Sequence, residues 1–238
     1  MPLTTLCFDL DDTLVLEVPS ARAAMCAVAA AAEHRHGVDP TAVCEAVFEV
    51  ARELWHASPM HPFARATAIS SWEALWSRFG GDHPQMRRLR EWAPTYRFQA
   101  WDGALRRLQI ADEALAAELA EAFPGERRRR HVLFDDALDC LRWAAVRHRL
   151  VLASNGAGDL QREKLAGAGL DAWFPVVVIS GEIGARKPYP AYFEHMLAAA
   201  GAEAGECVMI GNSLKADMAA RELGIHTVWV NRDGEQPD

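Results

Sequence analysis

Five short apolar runs constrain the fold of this chain more than any other feature. They are Leu3 to Phe8, Leu150 to Ala153, Val176 to Ile179, Cys207 to Ile210, and Thr227 to Val230. They are rich in Val, Ile and Leu and do not alternate with polar residues. A strand with one wet face alternates, whereas a continuous run suits a parallel strand covered on both faces. Leu138, Leu141 and Ala145 recur at helical spacing in a helix predicted over Asp135 to Arg147. Further helices are predicted over Leu160 to Leu170 and Tyr192 to Ala200. Strand and helix alternate, so the class is α/β with a parallel sheet. Right-handed crossovers place the helices on both faces.

The first two strands break this rhythm. Residues 9–149 separate them, far more chain than one crossover helix needs. This stretch has no clear strand. Ile69, Trp72, Trp76 and Phe79 repeat at steps of three and four, which predicts an amphipathic helix. Ala21 to Glu33, Thr41 to Trp55 and Glu113 to Phe123 also read as helices. The pattern predicts an α/β core over 1–16 and 131–238, interrupted by a helical domain over 17–130. Trp55, Trp72, Trp76, Trp92 and Trp101 lie in that insertion, and most are expected to pack inside it. No metal role is predicted for its His56, His61 and His83, whose spacing matches no metal site.

Composition narrows the function classes. The chain has 238 residues and a formal net charge of -8, so binding nucleic acid through a basic surface is disfavoured. The one basic run, Arg127 to Arg130, is expected to be a solvated helix end or linker rather than an anion site. Five scattered cysteines without a C-x-x-C predict neither a disulfide framework nor a zinc site, and a reducing cytoplasm fits them best. The Ala-rich stretch Ala21 to Ala32 is too short to span a bilayer. The acidic segment before it argues against a signal peptide.

In an open α/β sheet, ligands sit outside the carboxyl ends of the strands. Asp9, Asp11, Asp12 and Thr13 follow the first strand. Ser154-Asn155-Gly156 follows the second, and Ser180-Gly181-Glu182 the third, with Lys187-Pro188 shortly beyond. Gly211-Asn212-Ser213 follows the fourth, with Asp217 beyond. Three carboxylates within four residues repel one another unless a cation joins them, and a hard ion such as Mg²⁺ prefers oxygen ligands. A chain still extended past the strand would put Asp9 and Asp11 on one side and Asp12 on the other. An exposed acidic turn is the plain alternative. An EF-hand is excluded by Leu14 at its glycine position. Gly156-Ala157-Gly158 fails the dinucleotide pattern, because Gln161 stands at the third glycine.

Taken together, these residues resemble the haloacid dehalogenase-like hydrolase superfamily. Asp9-Leu10-Asp11-Asp12-Thr13 is similar to its D-x-D-x-T motif, Ser154 to the second motif, Lys187 to the third, and Gly211 to Asp217 to the fourth. The helical insertion resembles the family's C1-type cap on a Rossmann-like core. Asn155-Gly156 with Gln161 to Lys164, and Thr227 to Asn231, are similar to the branch of sugar-phosphate and nucleotide phosphatases that includes N-acylneuraminate-9-phosphatase.

The resemblance implies hydrolysis of a small phosphorylated metabolite. Asp9 is then the nucleophile, and Asp11 the acid/base that protonates the leaving oxygen and later deprotonates water. Thr13, Ser154, Asn155 and Lys187 would hold the phosphoryl oxygens. Asp9, the Asp11 carbonyl, Asn212 and Asp217 would hold Mg²⁺. The family most often has Asp where Asn212 stands, so reduced metal affinity is expected. Two rivals remain. One is a metal-independent 2-haloacid dehalogenase, disfavoured by Asp11, which family dehalogenases lack. The other is a catalytically weak binding protein of the same fold, favoured only by Asn212. The insertion is expected to close over the rim, exclude water and set substrate choice. Neither membrane nor nucleic-acid partners are implied, and oligomeric state is not legible.

Overall fold

The computed structural model describes residues 2–232 and 234. Residues 1, 233 and 235–238, assigned above to the α/β core, lie outside the described residues. The chain divides into two compact units. One comprises Met1–Glu17, Ala66–Ala68 and Val132–Asp238, and the other Val18–Arg65 and Ile69–His131.

The elements run β1 (Thr5–Phe8), then α1 (Glu17–His36), α2 (Pro40–Ala57), α3 (His61–Thr67), α4 (Ser71–Ala74), α5 (Pro84–Arg107) and α6 (Glu113–Arg128). The chain continues with α7 (Ala137–Ala145), β2 (Arg149–Ser154), α8 (Gly158–Gly167) and β3 (Val176–Ile179). It ends with α9 (Ser180–Ile183), α10 (Pro190–Ala200), β4 (Cys207–Gly211) and β5 (His226–Trp229).

The five strands form one parallel sheet in the order β3-β2-β1-β4-β5. Successive side chains of a strand point to opposite faces. Leu6, Phe8, Leu150, Leu152 and Val208 accordingly pack with Ala137, Leu141 and Ala144 of α7 and Leu165 of α8. Cys7, Val151, Ala153, Cys207 and Met209 pack with Tyr192, Phe193 and Met196 of α10. Both faces of the sheet are therefore covered, which is why the strands read as continuous apolar runs.

In the helical unit, α2, α4, α5 and α6 make the main contacts. Gly103 allows α5 to approach α2 closely, since a Cβ there would lie 2.9 Å from Val50. Trp55, Trp76 and Trp101 are buried, while Trp72 and Trp92 are half-buried.

Two expectations for this unit fail. The apolar repeat from Ile69 to Phe79 is not one helix. It forms only the single turn α4, held by a capping box between Ser70 and Glu73, and Phe79 turns into the left-handed region at φ 49°. The repeat reported burial, and local capping decided the backbone. The basic run is not a solvated end throughout. Arg127 is 1% exposed. It lies over the Trp76 ring at 4.8 Å and donates to the Arg130 carbonyl at 2.7 Å. Arg128 donates to the Trp76 carbonyl at 2.7 Å, and Arg129 and Arg130 pair with Glu126. Among the described residues no helix is long and apolar enough to cross a membrane.

Candidate active site

Adjacent β1 and β4 deliver the first groups of the site. Beyond the end of β1, the Asp9 amide still donates to the Ile210 carbonyl at 2.9 Å, so its side chain emerges beside β4. The chain then turns rather than staying extended, which corrects the expectation above. The amides of Thr13, Leu14 and Val15 all point to the Leu10 carbonyl, at 3.3, 2.9 and 3.1 Å, and Asp12 adopts φ 55°. Aspartate tolerates that region because its short side chain bonds locally. Here Asp12 Oδ1 accepts from the Glu17 amide at 2.9 Å.

Lys187 organises the next layer. It is 1% exposed, and its Nζ has three acceptors: Asp9 Oδ1 at 2.7 Å, Asp217 Oδ1 at 2.6 Å and the Ala153 carbonyl at 2.7 Å. An ammonium has three hydrogens, so all are engaged. The Asn155 side chain grips the Lys187 backbone at both ends, accepting from its amide at 3.0 Å and donating to its carbonyl at 3.1 Å. The Lys187–Pro188 peptide is cis. Asp217 Oδ2 accepts from the Ser213 amide at 2.9 Å, so both its oxygens are engaged. Gly211 makes room for it, because a Cβ there would lie 2.3 Å from Asp217 Oδ2.

Thr13 is 2% exposed and joins the nucleophile candidate to the fourth strand end. Its hydroxyl donates to Asp9 Oδ2 at 3.1 Å and accepts from the Asn212 amide at 3.1 Å. Asn212 Oδ1 lies 3.4 Å from the same hydroxyl. The Asp9 and Asn212 side-chain oxygens thus converge on one atom.

Asp11 has a different set of partners. Both its oxygens lie 3.0 Å from Lys164 Nζ, and Oδ2 accepts from Gln161 Nε2 at 2.7 Å. Lys164 is also 3.1 Å from Glu17 Oε1, and both residues are nearly inaccessible to solvent. Gln161 Nε2 reaches Ser154 Oγ and the Asn155 carbonyl as well, each at 2.7 Å.

Four carboxylates, Asp9, Asp11, Asp217 and Glu17, thus share two ammonium groups. Burial pushes the Asp9 carboxyl up to about 7; Lys187 pulls it back, while Asp217 and Asp11 push it further. Burial alone would lower Lys187, but Asp217 and Asp9 outweigh it and raise its pKa. Among the described residues no group of three or more His, Cys, Asp and Glu is arranged to hold a metal ion. An added cation would rely on Asp9 together with amide and carbonyl oxygens, a hard donor set that suits Mg²⁺.

This arrangement can be set beside known proteins. A family model for haloacid dehalogenase-like hydrolases matches residues 3–224. The chain belongs to that family. It is 40% identical over 237 residues to a phosphoserine phosphatase of Thermus thermophilus, covering 98% of this chain and 90% of that protein. It is 31% identical over 141 residues to mouse N-acylneuraminate-9-phosphatase, covering 58% of this chain and 57% of that protein. The magnesium-bound crystal structure of the HAD-hydrolase YfnB from Bacillus subtilis shares the fold. Its TM-score is 0.66 at 19% identity, with 99% of this chain and 92% of that one covered.

Within this haloacid dehalogenase-like hydrolase, the candidates fall into two connected groups. Asp9, Thr13, Lys187, Asn212 and Asp217 form one, and Asp11, Ser154 and Asn155 meet through Gln161. The sequence reading assigned no task to Gln161, Lys164 or Glu17. Their only signals were the spacing of Gln161 and Lys164, one helical turn apart, and the family resemblance of that stretch.

Proposed function

We propose that this chain is a Mg²⁺-dependent phosphatase of small phosphate monoesters that works through an aspartyl-phosphate on Asp9. The observation that carries this reading is the buried contact of Lys187 with Asp9 and Asp217 at the strand ends, with a second, separately held carboxylate two residues on at Asp11. The phosphatase relative at 40% identity supports it.

In the first half-reaction an Asp9 oxygen attacks phosphorus, the ester P–O bond breaks, and Asp11 gives its proton to the departing oxygen. In the second, water attacks the phosphorus, Asp11 takes its proton, and the Asp9 carboxylate is restored with release of phosphate. Ser154, the Asn155 N–H and Lys187 stabilise charge on the transferring group, and Thr13 orients Asp9 toward it. Asp9, the Asp11 carbonyl and Asn212 would hold Mg²⁺, with Asp217 contributing charge beside Lys187. When bound, the ion neutralises the approach of one anion to another. The five free cysteines suit a reducing cytoplasm.

The test is phosphate release from p-nitrophenyl phosphate and a panel of phosphorylated metabolites. O-phosphoserine leads the panel, given the relative. Release should need Mg²⁺ and stop with EDTA. Turnover unaffected by EDTA, or release of halide from a 2-haloacid without phosphate release, would reject the reading.

A further inference from the structure

Gln161 sits on α8, is fully buried, and carries no charge. Its Nε2 nevertheless has three oxygen neighbours at 2.7 Å: Asp11 Oδ2, Ser154 Oγ and the Asn155 carbonyl. Its Oε1 is buried with no hydrogen-bond partner. Burying an amide in this way is unfavourable on balance, since one end is satisfied and the other is not. A packing role would be filled at lower cost by Leu or Met. Nε2 instead sits where three functional segments meet: the acid/base candidate, the hydroxyl that ends β2, and the backbone of Asn155, whose side chain grips Lys187.

We infer that Gln161 is a positioning residue that sets the Asp11 carboxyl at a fixed distance from the Ser154 end of the phosphate cradle. The inference rests on the phosphatase reading above. Asp11 is a quarter exposed and lies on a turn, so its χ angles are not fixed by close packing. Lys164 touches both its oxygens equally and attracts without selecting one orientation. The Gln161 amide is directional: it bonds Oδ2 alone and ties that oxygen to the strand end. The other oxygen, which also faces Lys164 Nζ at 3.0 Å, is then the one placed to deliver the proton. Because a general acid must lie within hydrogen-bond reach of the atom it protonates, losing this tie should weaken acid catalysis specifically.

Leaving-group basicity separates this from a structural role. p-Nitrophenolate departs with little help, whereas phenolate from phenyl phosphate, nearly the same shape, needs the proton more. kcat/KM covers the steps through loss of the leaving group, so it reads the first half-reaction. General acids contribute about 10²–10⁴-fold, so Gln161→Met should lower kcat/KM for phenyl phosphate about 30-fold and for p-nitrophenyl phosphate less than about 3-fold. Placed on Asp11→Asn, Gln161→Met should add less than about twofold, because its effect passes through Asp11. Gln161→Asn, which keeps the amide but shortens its reach, should show the same split if the methionine variant folds poorly. Equal losses for both esters, no loss at all, or a full further loss on Asp11→Asn would overturn the inference while leaving the phosphatase reading intact. A wild-type chain releasing phosphate from neither ester would remove both.

Discussion

The α/β unit and the helical unit both bury charge, but in opposite ways. In the helical unit Arg127 lies over the Trp76 ring and donates a hydrogen bond to a backbone carbonyl. A ring face and a peptide carbonyl both meet this buried cation. In the α/β unit Lys187 meets Asp9 and Asp217, and Lys164 meets Asp11 and Glu17. Clustering carboxylates in this way is unfavourable for folding, and it is found at the strand ends, where ligands of such sheets bind. The difference separates buried charge that serves packing from buried charge gathered at the candidate site.

Substitutions on the two sides should therefore behave differently. The largest effect is expected for Asp9→Asn, which removes the proposed nucleophile: kcat should fall by about 10⁴-fold or more, with the thermal midpoint unchanged or raised, since a buried anion is gone. Steady-state kinetics and a melting curve check both halves. Asn212→Asp should lower the Mg²⁺ concentration for half-activity by about tenfold, because it restores a charged ligand. An unchanged metal requirement would count against Asn212 as a ligand. In the helical unit, Arg127→Met should reduce stability by about 1–3 kcal/mol in urea unfolding while kcat on p-nitrophenyl phosphate stays within about twofold. A catalytic collapse without destabilisation there would break the contrast. The smallest effect belongs to Asp12→Asn, which loses part of one turn-stabilising bond to the Glu17 amide and should retain most activity.

The sheet was legible because its strands are buried on both faces and so appear as unbroken Val, Ile and Leu runs, with ends correct to within about two residues. The groups just past those strands were legible for the same reason. The helix α5 was not read. Its buried stripe, Met86, Leu89, Ala93, Tyr96 and Ala100, depends on small and amphipathic residues among arginines, with Pro94 and Gly103 inside the helix. Arg127 was misread because a run of arginines looks the same whether solvated or stacked. Gln161 and Lys164 were unreadable as partners of Asp11, since two polar residues one turn apart usually mark a solvated face. Only the fold turns them inward.

The division of labour between Asp9 and Asp11 is tested most directly by trapping the intermediate. Asp11→Asn still permits departure of p-nitrophenolate but lacks the base for the second half-reaction. Acid quench of that variant with p-nitrophenyl phosphate, followed by peptide mass spectrometry, should find one phosphoryl group on Asp9. A phosphoryl group on another residue, or none in a variant that still releases p-nitrophenolate, would contradict the account.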